Sequence, residues 1–103
     1  MEQPSLHDAT LLRVEVLWGE TAEASFTFRA GGSRVVTLRV GGMTSLACPH
    51  ANPWGPSVSV NEVRGPERVD GGSERLEIEM QSGDTIVVDG RAWEWSDRAV
   101  ETF

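Results

Sequence analysis

The hydrophobic residues of this chain alternate with polar ones in short runs. Over residues 10 to 18, Leu12, Val14, Val16 and Trp18 fall on one face of an extended chain, and the other face carries Arg13. Because successive side chains of a strand point to opposite sides, this alternation predicts a strand with one buried face. We expect the face that carries Leu12 and Trp18 to be the buried one.

The same period recurs further along the chain. Its apolar positions are Ala24, Phe26 and Phe28, then Val36, Leu38 and Val40, then Val58 and Val60, then Leu76, Ile78 and Met80, and finally Ile86 and Val88. A short last strand is predicted over Arg91 to Ser96. Together these positions form the predicted core.

Turn-forming residues separate the runs. Gly31-Gly32-Ser33 and Ser82-Gly83-Asp84 predict hairpin turns, and Asp89-Gly90 predicts a type I′ turn before the last strand. Gly41-Gly42 fits either a tight turn or a β-bulge. Residues 64–73 are polar and contain Gly-Pro and Asp-Gly-Gly, which predicts a long mobile loop.

The strand pattern determines the expected fold class. No segment keeps a period of 3.6 residues over two helical turns, so no helix is predicted. About seven or eight short strands separated by Gly-rich turns are typical of an all-β fold, either an antiparallel sandwich or a barrel-like roll. The chain has 103 residues, which predicts a single domain over residues 1–103.

The charge balance restricts the partners that we expect. The net charge is −7, and the nine basic residues are all arginines scattered along the chain. Nucleic-acid binding needs clustered basic side chains, so we expect no nucleic-acid partner. No apolar run is long enough to cross a membrane, and Met1-Glu2-Gln3-Pro4 lacks the features of a signal peptide, so we expect a cytoplasmic protein without membrane contact.

The segment from Cys48 to Ser57 interrupts the strand pattern. It contains three prolines, the only cysteine and Trp54. Proline fixes φ and lacks an N–H, so this segment predicts a shaped loop. Trp54, at its centre, either packs into the core beneath the loop or is exposed as a contact residue.

Metal-ligating residue types occur near this loop and near the N-terminus. Cys48 and His50, together with His7 and Asp8, would supply four ligands if the fold brought them together. Structural zinc sites use paired ligands at regular spacing, which this sequence lacks. We therefore expect no metal, with Cys48 as a small buried residue and His50 as a surface or capping residue.

The sequence lacks a complete catalytic motif. A nucleophile needs a base that a third group holds, and no Gly-x-Ser-x-Gly element surrounds Ser57 or Ser59. Glu77 and Glu79 share one strand face opposite apolar positions, so we expect them on a solvated outer face. We predict no enzyme activity, no catalytic residue and no cofactor.

Tryptophan and polar residues define the candidate interaction surface. Trp93 and Trp95 are two residues apart and share one face, which suits either core packing or a platform for a sugar ring or a protein. The polar residues near Trp54 would line one side of a sheet. The predicted surface consists of Trp54, Ser57, Ser59, Asn61, Glu62, Trp93 and Trp95.

The opening of the chain resembles that of known proteins. Ser5-Leu6-His7-Asp8-Ala9-Thr10-Leu11-Leu12 is similar to the Phe/Leu-His-Asp-Ala-x-Leu start of several groups of small, mostly uncharacterised bacterial β proteins, some classed as toxin-immunity proteins. In physical terms, His7-Asp8-Ala9 would form a polar turn, with His7 or Asp8 bound to the local backbone. The resemblance transfers no catalytic residue.

These observations favour a non-enzymatic bacterial domain that contacts another protein, such as an immunity-type or accessory protein, as a monomer or homodimer. The alternative is a module that binds a small ligand or carbohydrate through exposed tryptophans.

Overall fold

Two four-stranded antiparallel sheets make up the fold. The computed structural model describes residues 4–31, 34–51 and 58–99. Its strands are β1 (Thr10–Leu17), β2 (Glu23–Ala30), β3 (Arg34–Gly41), β4 (Ser45–Ala47), β5 (Val60–Arg68), β6 (Glu74–Met80), β7 (Thr85–Gly90) and β8 (Ala92–Ala99). The strand order is β1-β2-β3-β8 in sheet A and β4-β7-β6-β5 in sheet B. The all-β prediction is confirmed, and the arrangement is sandwich-like.

The core consists of the inward faces of both sheets. In sheet A, Phe26 of β2 lies opposite Leu38 of β3, which lies opposite Trp95 of β8. In sheet B, Leu76 of β6 lies opposite Val88 of β7. These side chains are buried, so the alternation found in β2, β3, β6 and β7 identified the core faces correctly.

Two strands turn from one sheet into the other. The chain leaves β3 through a bend at Gly42, where φ is +59°, and enters β4 of sheet B. It leaves β7 at Gly90 and enters β8 of sheet A, which pairs with β3. The predicted type I′ turn at Asp89-Gly90 is therefore wrong, because β7 and β8 are not hairpin partners. Gly41-Gly42 forms a corner between the sheets.

Backbone hydrogen bonds also join the two sheets at their other side. The Leu11 N–H donates to the Val58 carbonyl at 2.8 Å, and the Val60 N–H donates to the Ala9 carbonyl at 2.8 Å. A bridge between Thr10 and Ser59 lies between these bonds. The start of β1 is thus tied to the start of β5, and the sandwich is partly closed there. We call this region the β1–β5 junction.

A β-bulge in β1 changes which side chains are buried. The register shifts between Leu11 and Arg13. Leu11 is 8% exposed, Leu12 is 46% exposed, and Trp18 beyond the strand is 80% exposed. The expectation that Leu12 faces the core is wrong, because the bulge places Leu11 inward in its stead, whereas Val14 and Val16 pack against the core as predicted. Trp18 does not face the core because it lies beyond the end of β1.

The first half of the segment predicted as a long loop is strand, and Asp70–Gly72 form a short 3-10 helix. β5 continues to Arg68 and pairs with β6, with Arg64 opposite Glu77 and Glu67 opposite Arg75. The charged residues suggested a loop, but they lie on the outer face of sheet B. Within the described ranges, no helix is long and apolar enough to cross a membrane.

Candidate interaction surface

The tryptophans of β8 point toward the core. Trp95 is 9% exposed, and Trp93 packs partly buried against the core. The indole N–H of Trp93 donates to a carboxylate oxygen of Glu74 at 3.1 Å, which satisfies its polar group. These two residues therefore pack in the core, and the prediction that they contribute to an exposed platform is wrong.

The polar members of the predicted surface lie on the opposite sheet. Ser59 is half-buried at the β1–β5 junction, and Asn61 and Glu62 are exposed on β5. Trp54 and Ser57 lie outside the described residues. The structure therefore brings Ser59, Asn61 and Glu62 together and separates them from Trp93 and Trp95.

Polar contacts hold the N-terminal segment against β5 and the β6–β7 turn. His7 Nδ1 donates to the Asn61 carbonyl at 2.8 Å, and Gln81 Nε2 donates to Asp8 Oδ1 at 2.5 Å. The Asp8 N–H donates to the Val60 carbonyl at 2.9 Å. His7 and Asp8 form a turn, as expected, but the His7 ring binds a backbone group 54 residues away and not the local backbone.

This arrangement assigns the His7 tautomer. A carbonyl oxygen only accepts hydrogen bonds, so Nδ1 carries the proton that it donates to Asn61. His7 Nε2 lies 3.5 Å from Asp8 Oδ2, and both side chains are mainly exposed. The pair fixes the entry into β1, and both ring nitrogens have a protein neighbour.

The residues considered as metal ligands do not form a cluster in the described part of the chain. No group of three or more His, Cys, Asp or Glu side chains suited to a metal ion occurs there. Cys48 is exposed, so its expected burial is wrong, although neighbouring atoms desolvate the thiol enough to raise its pKa. A raised pKa disfavours the reactive thiolate at neutral pH.

An ion-pair network covers the outer face of sheet B. Arg64 lies 3.3 Å from Glu77, 3.1 Å from Glu62 and 3.4 Å from Glu79, measured between guanidinium nitrogens and carboxylate oxygens. Hydrogen bonds to Glu77 and Glu62 raise the pKa of Arg64. The prediction that Glu77 and Glu79 lie on an outer face is confirmed, and their charges are partly neutralised there.

The surface clefts are small and lined by charged groups. One cleft of about 360 Å³ lies between Glu23, Arg39 and Trp93, and another of about 260 Å³ lies between Arg64, Arg68 and Glu77. Several of these lining side chains are already engaged in ion pairs with one another. The clefts therefore resemble gaps between surface side chains more than a built ligand pocket.

The exposed large hydrophobic residues of the described structure lie along one strand, β1, and just beyond its last residue. They are Leu12 at 46% exposure, Leu17 at 56% and Trp18 at 80%. Arg13 and Glu15 lie between them and are also exposed. We call the set of Leu12, Arg13, Glu15, Leu17 and Trp18 the β1 edge, because β1 is the outermost strand of sheet A.

Sequence reasoning missed the β1 edge for an identifiable reason. The Leu11-Leu12 doublet breaks the alternation, and a doublet of this kind is the signal that a β-bulge leaves in a sequence. Had the doublet been read as a bulge, Leu12 would have moved to the outer face. The position of Trp18 next to Gly19 and Glu20 likewise indicates a turn.

Comparisons with family models, with curated proteins and with solved structures find no match for this chain.

Proposed function

We propose that this protein acts by contact with another protein and not by catalysis, and that the β1 edge is its contact surface. The observation that carries the proposal is the exposure of Leu12, Leu17 and Trp18 along and just beyond an outermost strand. Scattered exposed apolar residues are ordinary, but a group of them on a sheet edge is typical of an interaction site.

The chemistry of the β1 edge suits protein recognition. Tryptophan is enriched among residues that dominate binding energy, because its large ring excludes water and loses little side-chain entropy. An outermost strand can also present backbone N–H and C=O groups to an added strand. The edge therefore offers both an aromatic anchor and backbone groups that no other described residue pairs with.

The opening residues suggest the kind of protein. The resemblance of residues 5–12 to immunity-type bacterial proteins supports a role as an immunity or accessory protein of an operon. The cytoplasm is the compartment that we propose, because the free and exposed Cys48 thiol fits a reducing environment.

Capture experiments with matched variants test the proposal. The bait proteins are the wild type, the double variant Leu17→Ser with Trp18→Ser, and Ser96→Ala as a control on the exposed outer face of β8. We expect the wild type and the control to retain the same binding protein from a lysate of the source organism and the double variant to lose it. Retention by all three would show that the β1 edge is not the contact surface.

A second experiment tests the immunity role. The protein is co-expressed with a growth-inhibiting protein that a neighbouring gene encodes, and the survival of the host cells is measured. We expect the wild type and Ser96→Ala to protect the cells and the double variant to protect them less. Absence of protection and of any captured protein, including a second copy of the chain, would refute the proposed function.

A further inference from the structure

We infer that the β1 edge binds a second copy of this chain, by antiparallel pairing of the two β1 strands about a twofold axis at Val14. The inference rests on the proposed function and names the partner that this surface selects. Three features lead to it, which are the free part of the edge, the direction of its backbone groups and the spacing of its charges.

The free part of the edge begins after the β1–β5 junction. Ala9 and Leu11 bind β5 through their backbone groups, so the first residues of β1 are covered. From Arg13 to Leu17, β1 pairs with β2 on one side, and nothing in the described ranges pairs with its other side. The uncovered stretch has the length of a short edge strand.

The bulge determines which backbone groups point to this free side. The Leu11 N–H donates to Val58, so it points away from β2. In a regular antiparallel strand, the backbone N–H and C=O groups of alternate residues point to the same side. The extra residue of the bulge shifts this alternation by one position, and the pairings Arg13 with Thr27 and Val14 with Phe26 continue the ladder after it. Val14 and Val16 therefore direct their N–H and C=O groups outward, available to a partner strand.

The charges select one register for a pair of identical strands. A twofold axis at Arg13 would place two arginines opposite each other, and an axis at Glu15 would place two glutamates opposite each other. An axis at Val14 places each Arg13 opposite Glu15 of the partner subunit. Opposite charges across two strands stabilise the pair and like charges destabilise it, so the Val14 register is favoured over the other two. An axis at Val16 would place Glu15 opposite Leu17 and would pair no opposite charges.

The apolar residues fit the same register. Leu12 comes opposite Val16 of the partner subunit, whose side chain packs against its own core, and Leu17 with Trp18 extends toward the partner subunit's β1–β5 junction. Burial of the exposed Leu12, Leu17 and Trp18 side chains would supply the driving force. Because the paired stretch runs only from Leu12 to Val16, the interface is small, and we expect a weak dimer that depends on protein concentration.

Charge reversal tests the register by sedimentation equilibrium. Arg13→Glu alone creates two glutamate pairs, and Glu15→Arg alone creates two arginine pairs, so each should dimerise more weakly, by roughly 5- to 30-fold. An equimolar mixture of the two variants restores opposite charges at both positions and should dimerise like the wild type. Arg29→Glu, exposed on the neighbouring strand, changes the net charge as Arg13→Glu does and should have no effect.

Cysteine cross-linking tests the same geometry without relying on affinity. In a Cys48→Ser background, we mix the variants Arg13→Cys and Glu15→Cys and oxidise them. Residues 13 and 15 would form a pair without backbone hydrogen bonds, whose Cα atoms lie about 4.5 Å apart, within the range for a disulfide. We expect the mixed disulfide to form faster than either homodimeric disulfide.

The two proposals fail in different ways. A wild-type protein that remains monomeric at high concentration, or charge variants that do not complement each other, would overturn the second-copy inference. If Leu17→Ser with Trp18→Ser still lost a captured protein of another sequence, the proposed function would stand. Variant folding is checked by thermal unfolding, and Arg13 and Glu15 are exposed enough for their replacement to leave the core intact.

Discussion

Within β5, Gly65 occupies a position where a larger side chain would be strained and would clash with a neighbouring strand. Its φ is +96°, and a Cβ atom there would lie 2.6 Å from the carbonyl oxygen of Arg75. We expect Gly65→Ala to destabilise the protein by roughly 2–4 kcal/mol, because backbone strain adds to a contact that only movement of β6 can relieve. Urea unfolding measures the difference.

Gly71 provides the control for this substitution. Its φ is +84°, but no atom lies within 4 Å of its Cβ position. Gly71→Ala should therefore cost only the backbone strain, about 1–2 kcal/mol. Equal losses for the two variants would show that the contact with Arg75 does not matter.

Asp89 is the residue whose charge state we expect to affect acid stability. Arg75 donates to its two carboxylate oxygens at 2.8 and 3.0 Å, which holds the pKa of Asp89 below its ordinary value. A carboxylate whose pKa is lower in the folded state stabilises the protein at pH values above its pKa in the unfolded chain, which is about 3.9 for aspartate. This contribution is lost as the pH falls through the pKa of the folded state. Asp89→Asn should lower the urea midpoint at pH 7 and reduce its decline below pH 4.

The matching control is Glu94→Gln on the exposed face of β8. This variant should retain the acid dependence of the wild type. If Asp89→Asn and Glu94→Gln showed the same pH dependence, the ion pair with Arg75 would not contribute to folding.

At the scale of the element, the bulge in β1 gives adjacent leucines different environments. Leu11 is 8% exposed and Leu12 is 46% exposed. We expect Leu11→Ala to cost about 2–4 kcal/mol through loss of burial and a remaining cavity, and Leu12→Ala less than about 1 kcal/mol. Similar losses, measured by chemical unfolding, would contradict the observed register.

Alternation predicted strands well where the pleat is regular. The β6–β7 hairpin follows the predicted pattern, because Leu76, Ile78 and Ile86 all face the core and the turn contains Gly83. In β1 the pattern identified Val14 and Val16 correctly but not Leu12, which lies at the extra residue of the bulge. It also failed in β5, since a run of charges on the outer face resembles a loop unless the opposing charges of β6 are known.

The candidate site was harder to predict than the fold. A period of two residues tells which side chains share a face, but it does not tell which strand lies at a sheet edge. The exposure of Trp18 follows from the position of β1 at the edge of sheet A, and the burial of Trp95 follows from the pairing of β8 with β3. Both depend on contacts between residues that are far apart in the sequence.

At the scale of the whole molecule, the corners at Gly42 and Gly90 make the two sheets depend on each other. β3 and β8 pair in sheet A, and the same two chain segments continue as β4 and β7, which pair in sheet B. The Arg91 N–H donates to the Gly41 carbonyl at 2.9 Å between these two pairs. Damage at this corner should therefore weaken both sheets in one cooperative transition.

Gly90 allows the corner to pack closely. A Cβ atom there would lie 2.4 Å from a methyl carbon of Val40. We expect Gly90→Ala to destabilise the fold by about 1–3 kcal/mol through overpacking, whereas Gly31→Ala, with no atom within 4 Å of its Cβ position, should change stability little.

A double-mutant cycle with Val40→Ala identifies the contact responsible. Val40 is fully buried, so its truncation alone should cost stability by leaving a cavity. In that background the added methyl group of Gly90→Ala would occupy the vacated space, so the second substitution should cost less than it does in the wild type. Additive losses, measured by urea unfolding, would mean that the two residues do not compete for space and that the corner is held apart by other contacts. A coupling of about 1 kcal/mol or more would show that the Val40 side chain limits how closely the two sheets pack at Gly90; the Gly41 carbonyl oxygen, 3.2 Å from the same Cβ position, would account for the cost that remains.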